Sequence, residues 1–531
     1  MKREDEAMHV SEMIARNARR YPNETALVEV DPVLKTKKVV TWKEFDERIN
    51  KVANAMIDRG IKKGDKVHML MYNSLNILEL QWGIMRAGAW IAPLNFRFDS
   101  LEIKYCADVA EAKMMIFEET FMEKIHEVRA HLPTIKHYIL IGENVPKDME
   151  SFEGIMKQSS SKPVEAPLED NEGCSLYFTS GTTGKPKPIL LTNKNLECAA
   201  ITNNSNWKIK HEDNFLLLQP LYHAGGGMMW VGAVIVGAPA VLIKGIIKPI
   251  EVIDVVQKEK VTILFLVVPW ASDILGHYDR QELSMEKYDL KCCRLLSMGG
   301  QPVPPALIKR WLERFPHMEY DTMYGLGEAM GPGCCHLTSN DPKRWGSIGK
   351  ASFNWEARIV KENGEDVSPG EVGELIVKGN GVMKEYYKNP EKTAETIKNG
   401  WCYTGDMAKA DSEGYLYLVD RKKDVIIYGG ENIYPVEIED LLQGHPKIHD
   451  AGVIGIPDER LGEVVAAVIQ AKPGETLTEE EVNKFCNENL PKYKRPKRIF
   501  FDKVPRNPTG KIEKPALREK YAGFKESFKV K

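Results

Sequence analysis

Residues 177–188 read YFTSGTTGKPKP. Thr179 through Gly184 are all Ser, Thr or Gly, and Lys185 and Lys187 follow. Such a loop suits a phosphate: glycines let the backbone approach, hydroxyls donate hydrogen bonds and lysines add charge. It is not a Walker A loop, which reads G-x-x-x-x-G-K-[ST]. Only two residues separate Gly181 from Gly184, and Pro186 follows Lys185. Pro186 and Pro188 also lack the N–H groups that a helix N-terminus would offer to phosphate. The stretch lies between strand-like SLYF and ILLT. Taken alone, it would equally suit a flexible surface loop.

The rest of the chain narrows the choice. At 531 residues it is long enough for two or more folded units and a sizeable core. Net charge is -3 and pI about 6.5, so there is no basic field to hold nucleic acid. The nine cysteines include adjacent pairs at Cys292–Cys293 and Cys334–Cys335 but no C-x-x-C spacing. That usage points to a reducing cytoplasm rather than a disulfide framework. The charged start, MKREDEAMHV, is not a secretory signal. Residues 225–243, GGGMMWVGAVIVGAPAVLI, carry no charge over nineteen positions, a length that can span a bilayer. Five glycines and a proline interrupt them, and Gly237-Ala238-Pro239 reads as a turn between a buried helix and a buried strand AVLI. No membrane span is expected.

Short β-rich runs (KVHMLMY, MMIFE, HYILIG, FLLLQ, AVLI, TILFLVV, ELIVKG, AGVIGI, AAVIQA) alternate with helical patterns. This predicts α/β layers with largely parallel sheets. The last hundred or so residues form a unit of their own: helix VEIEDLLQ, strands AGVIGI and AAVIQA, and helix TEEEVNKFCNENL. A charged cluster, DRKKD, precedes it between two β-rich runs. We place the boundary there, with a large N-terminal domain over 1–422 and a small mobile α+β domain over 423–531.

YFTSGTTGKPK closely resembles the phosphate loop of the adenylate-forming enzymes, the superfamily of acyl-CoA synthetases, firefly luciferase and peptide-synthetase adenylation domains. PLYHAGG (220–226), SMGGQPVP (297–304), MYGLGEA (323–329), GWCYTGD (400–406), DRKKDVIIYGGENIYPVEIE (420–439) and PRNPTGKIEK (505–514) match the same family in order, over nearly the whole chain. The resemblance implies two half-reactions. A carboxylate attacks the α-phosphorus of ATP, giving an acyl-adenylate and pyrophosphate; a thiol then attacks the acyl carbon and expels AMP. Bringing a carboxylate against a polyphosphate calls for preorganised cations and donors.

By resemblance, Thr179, Ser180, Gly181, Thr182, Thr183, Gly184 and Lys187 surround the β- and γ-phosphates, and Glu328 holds Mg²⁺. Tyr324, followed by Gly325, stacks on adenine, with the Gly299-Gly300-Gln301 backbone on its other face. Asp406 accepts the ribose hydroxyls and Arg421 sits by ribose or phosphate, although these two could equally form a structural ion pair. Lys511 reaches the carboxylate and α-phosphate. Lys423 is the hinge about which the small domain swings between half-reactions. After the swing Lys511 leaves, and the 428–432 loop with Gly429, Gly430 and Glu431 lines a tunnel for the pantetheine of coenzyme A.

Three positions depart from the family: Pro188 where Gly is usual, Asn193 where His is usual, and Gly327 where Thr contacts phosphate. The 220–226 region lacks the acidic residue that amino-acid-adenylating relatives use to pair with an ammonium. His223, Gly226, Gly227, Met228, Trp230, Gln301 and Met330 are the candidate lining of an uncharged acyl pocket. A cyclic, aryl or medium-length acid is expected. Free CoA is the simplest acceptor, because no carrier module follows Lys511; delivery to a carrier protein and a silent nucleotide-binding regulator are the competing readings. The expected partners are therefore the acid, ATP and CoA, with the oligomeric state open to a homodimer.

Overall fold

The computed structural model describes residues 9–164, 169–179, 186–245, 247–330, 335–338, 341–429, 431–507 and 510–522. Alternation of helix and strand builds two large sheets. One has nine strands, in the order Lys350–Ala351, Cys335–Thr338, Glu319–Tyr324, Leu295–Gly299, Ile263–Val267, Phe215–Leu217, Ala240–Ile243, Thr25–Asp31, Thr36–Thr41. Its middle strands, from Glu319–Tyr324 to Thr25–Asp31, are parallel. Ile263–Val267 is buried at every position, as expected of a strand covered by helices on both faces. The second sheet has eight strands, with Gly173–Thr179 between Trp90–Pro93 and Lys187–Thr192.

The expectation of largely parallel sheets holds for these two alone. A third sheet, containing Trp355–Val360, Gly373–Gly379, Trp401–Ala410 and Leu416–Arg421, is antiparallel throughout. The small domain has a fourth, mostly antiparallel sheet, with one parallel pair between Gly462–Ala471 and Arg498–Phe501. Trp401–Ala410 with Leu416–Arg421, and Ile448–Asp458 with Gly462–Ala471, are joined by short connections, which antiparallel pairing permits and parallel pairing does not. The helices Pro435–Gln443 and Glu479–Asn489 and the strands Ile448–Asp458 and Gly462–Ala471 lie where the sequence places them.

The uncharged stretch resolves as expected. It is a helix, Ala224–Val236, a left-handed Gly237, and the strand Ala240–Ile243. Thirteen helical residues rise about 20 Å, well short of the ~30 Å hydrocarbon core. Among the described residues no helix is long and apolar enough to cross a membrane. The described cysteines, Cys292 and Cys293 included, are free thiols.

Candidate active site

The quoted loop closes an antiparallel hairpin. Thr179 and Lys187 are direct partners at its mouth. Ser180, Gly181, Thr182, Thr183 and Gly184 lie outside the described residues. The Lys187 ammonium is 5.9 Å from the Tyr386 ring centroid. Burial, then the neighbouring Lys392, holds its pKa below the ordinary lysine value, while Glu328 pulls the other way.

Glu328 is oriented by two contacts. Tyr386 Oη donates to its Oε1 at 2.7 Å, and Met383 N donates to its backbone carbonyl at 2.8 Å. Burial and the Glu328 charge push the Tyr386 hydroxyl pKa up, so it remains a donor. Tyr386 is brought there because Glu385–Tyr386 pairs with the Lys187–Thr192 strand, with Tyr386 opposite Ile189. The sequence carries no motif for it, 58 residues from its partner. Tyr386→Phe should leave Glu328 without this donor. A hydrogen bond to a charged group is worth about 1.5–3 kcal/mol, so the adenylation rate is expected to fall roughly tenfold to a hundredfold. Pyrophosphate release at varied Mg²⁺ checks it; an unchanged rate and metal requirement would remove Tyr386 from the site.

Asp406 and Arg421 face each other across antiparallel strands, with Arg421 Nε 3.2 Å from Asp406 Oδ1. Asp406 is buried and Tyr324 Oη donates to its Oδ2. The ion pair therefore exists within the site. Gly299 and Gly300 end the neighbouring strand. A Cβ on Gly299 would lie 3.0 Å from Met323 O, and Gly300 has φ +84°, so both glycines are demanded by close approach and turn.

Lys511 comes from the small domain. Its loop is tied by Lys511 N donating to Asn507 Oδ1 (2.9 Å) and Asn507 N donating to Lys511 O (2.9 Å). Gly510 turns at φ +82°, and a Cβ there would meet Val267 and Pro269 of the large domain at 3.3–3.4 Å. Burial lowers the Lys511 pKa to about 8, with Arg421 adding to the effect and Asp406 and Glu328 opposing it. Lys511 therefore lies within electrostatic reach of Arg421, Asp406 and Glu328. His223 belongs to the same neighbourhood: burial, then Lys511, brings its pKa to about 4. It is neutral at pH 7. Gly225 N donates to its Nδ1 at 3.1 Å, which leaves the proton on Nε2.

The acyl-pocket expectations divide. Gly226 is glycine because a Cβ would lie 2.2 Å from Pro220 O, so it serves close packing rather than room for a ligand. Gly227 faces the Tyr177 hydroxyl, 3.1 Å from its ideal Cβ. Trp230 is corrected: it is fully buried against Trp42, Phe45 and Trp82, one helical turn beyond Gly226, and is a core residue. Met330 is equally inaccessible and belongs to the same core. The Met228 side chain lies outside the described residues. Gln301 is turned toward the small domain, where it accepts from Arg506.

Two of the departures have local causes. A Cβ on Gly327 would come within 2.9 Å of Ile189 Cδ1 and 3.0 Å of Thr179 Cγ2, so Thr179 itself occupies that space. Asn193 is buried and donates to Glu169 O at 3.0 Å, a structural use. Gly429 and Glu431 are exposed on the small domain, and Gly430 lies outside the described residues.

Residues 14–387 match the AMP-binding enzyme family and residues 437–511 its C-terminal domain. A feruloyl-CoA synthase from Amycolatopsis is 33% identical over 509 residues, covering 95% of this chain and 98% of that protein. A long-chain-fatty-acid–CoA ligase from Mycobacterium tuberculosis is 31% identical over 91% of this chain and 93% of its own length. The crystal structure of an anthranilate CoA ligase bound to anthranoyl-AMP superposes with a TM-score of 0.89 at 26% identity, covering 98% of this chain and 99% of that one. The phosphate-loop hairpin, the Asp406–Arg421 pair and the inserted Lys511 thus sit in a chain that belongs to the AMP-binding enzyme family of acyl-CoA synthetases.

Proposed function

We propose that the protein is an ATP-dependent acid:CoA ligase acting on an uncharged aryl, cyclic or medium-length carboxylic acid. The observation that supports this reading is the packing of the Lys511 loop against the large domain, with Gly510 beside Val267 and Pro269 and Lys511 buried within electrostatic reach of Glu328, Asp406 and Arg421. An ammonium there can stabilise charge as a carboxylate oxygen bonds to the α-phosphorus and pyrophosphate departs. In the second step a CoA sulfur bonds to the acyl carbon and AMP leaves with the electron pair.

Mg²⁺ commonly binds proteins through one or two carboxylates plus substrate phosphates. Glu328, fixed by Tyr386 and beside Lys187, supplies such a carboxylate and would hold the ion with ATP. Bound there, the metal would neutralise phosphate charge. Arg421 and Asp406 then serve the nucleotide and Tyr324 its base.

Two features support the choice of acid. The His223 imidazole is neutral at pH 7 and offers no charge to pair with a charged acyl group. The similar proteins named above act on feruloyl, anthranilate and long-chain acyl groups, which are aryl or aliphatic acids. A panel of such acids assayed for CoA-dependent AMP formation tests the reading. AMP and thioester should appear together for at least one acid. Adenylate without thioester across the panel would favour another acceptor, and no pyrophosphate release with any acid would sink the ligase reading.

The pantetheine path and the hinge at Lys423 belong to the same proposal. Ile427 is 56% exposed, beside exposed Gly429 and Glu431, so this edge of the small domain is left open while Lys511 is docked. A swing about residue 423 would give that edge a partner.

A further inference from the structure

Arg506 uses both edges of its guanidinium at the boundary between the domains. Nε donates to Asp450 Oδ2 and Nη2 to Asp450 Oδ1, both at 2.7 Å, in the paired geometry of a charge-assisted fork. Nη1 donates to Gln301 Oε1 at 2.6 Å and to Gly510 O at 2.5 Å. Asp450 lies on the strand Ile448–Asp458, in the body of the small domain. Gly510 immediately precedes Lys511, and Arg506 also pairs through its backbone with Ile512 across the lysine loop. Gln301 belongs to the large domain, next to Gly299 and Gly300. One side chain therefore joins the small-domain body, the loop bearing Lys511 and the nucleotide-side loop of the large domain.

The bonds differ in what they span. Those to Asp450 and Gly510 lie within the small domain and travel with it. The bond to Gln301 crosses the boundary to the large domain. The surrounding boundary is not solidly packed. A cavity of about 690 Å³, lined by Arg97, Pro269, Asp273, His449 and Arg506 among others, opens beside it. Beside this open cleft, Arg506 and Asp450 are both largely shielded from water, at 14% and 13% side-chain exposure. Shielding strengthens a charge-assisted bond and raises the cost of leaving it unmade.

We propose that Arg506 is a positioning residue for adenylation: its bond to Gln301 latches the small domain in the orientation that holds Lys511 in the site, and this bond breaks before thiol attack. The proposal rests on the two-step ligase reading. It predicts opposite effects from its two ends. Arg506→Gln loses the latch, so adenylation falls by about tenfold or more while thioester formation from supplied acyl-adenylate stays within about twofold. Arg506→Lys recovers part of the loss, because an ammonium can still reach Gln301. Gln301→Glu turns a neutral acceptor into a carboxylate, tightens the latch and slows the thiol step severalfold; adding Arg506→Gln removes that slowing.

The experiment measures pyrophosphate release and thioester formation separately for wild type, the three single variants and the Gln301→Glu/Arg506→Gln double variant, with melting curves alongside. The split and its reversal in the double variant are the expected result. Equal loss of both half-reactions in Arg506→Gln at unchanged melting temperature would overturn the latch, as would slowing that persists in the double variant. If Arg506→Gln melts early, the Gln301→Glu comparison with Arg506→Lys in place of Arg506→Gln decides. Absence of thioester in the wild type would refute the ligase reading instead, and the adenylation arm would still judge the latch.

Discussion

Lys511→Ala is expected to lower adenylation by about 10²–10³-fold while thioester formation from supplied acyl-adenylate stays within a few-fold of wild type. The asymmetry follows from where the charge develops. Adenylation drives a carboxylate against a polyphosphate, and Lys511 is a cation brought in from another domain among Arg421, Asp406 and Glu328. Thiol attack expels AMP and needs no cation at that point. A pH profile separates this role from simple packing. Burial and Arg421 hold the Lys511 pKa to about 8 in the free protein, below the ordinary 10.5. The protonated form is the active one, so kcat/KM for pyrophosphate release should fall about tenfold per pH unit above pH ~8. Bound ATP adds negative charge and raises that pKa, so the limb in kcat should move to higher pH. Lys511→Arg should abolish the limb, since guanidinium stays charged throughout. Equal loss in both half-reactions, or an alkaline limb that survives the arginine, would refute the assignment.

What the sequence could reveal depended on how local the physics is. The helix, Gly237 turn and strand inside residues 225–243 were legible because a left-handed glycine and a proline punctuate the chain within a few residues. The two strands flanking the glycine-rich loop were legible as β-rich runs, but not their antiparallel pairing. Asp406 and Arg421 were each singled out, but their being cross-strand neighbours is a matter of register, which a sequence does not print. Trp230 shows the opposite failure. A large aromatic beside a glycine run reads equally as pocket or core, and only Trp42, Phe45 and Trp82, distant in sequence, decide for the core. Tyr386 escaped because it reaches Glu328 through pairing of two short segments. Arg506 lay within a quoted motif, yet its reach to Gln301 spans 205 positions and two domains. The antiparallel third sheet was hidden too, because strand-rich runs do not state their pairing direction.

Lys423→Pro should collapse thioester formation by about a hundredfold or more while adenylation survives within a few-fold, as expected for a lost conformational step rather than lost chemistry. The structure sharpens where a pivot can lie. Arg421 is fixed in the large domain, paired with Asp406 in the third sheet. Asp424, three residues on, is buried and bonded to Arg518 of the small domain. Burial raises the Asp424 pKa, but Lys514 and Arg518 more than offset it, so this carboxylate stays charged and anchored. A pivot lying between these two anchors would fall in the turn Lys422–Asp424. Proline at 423 fixes φ near -65°, within the range of the helical turn present with Lys511 docked, and biases Lys422 toward extended backbone. The docked orientation can absorb one such constraint; a rotation about φ of residue 423 cannot. Asp420 adds a second requirement, because its backbone pairs with Met407 while its carboxylate accepts from Val436 N of the small domain at 2.8 Å, a bond that must break or be carried along in the swing. Lys423→Ala is the control for the lost ammonium, which acts on Lys187, and it should leave both half-reactions within about threefold, in the range of surface substitutions. Melting should shift by only a few degrees, since the turn is exposed and both cores are untouched. Near wild-type rates in both half-reactions for the proline variant would move the pivot away from Lys423, and equal loss in both would show that the turn serves the docked state as well.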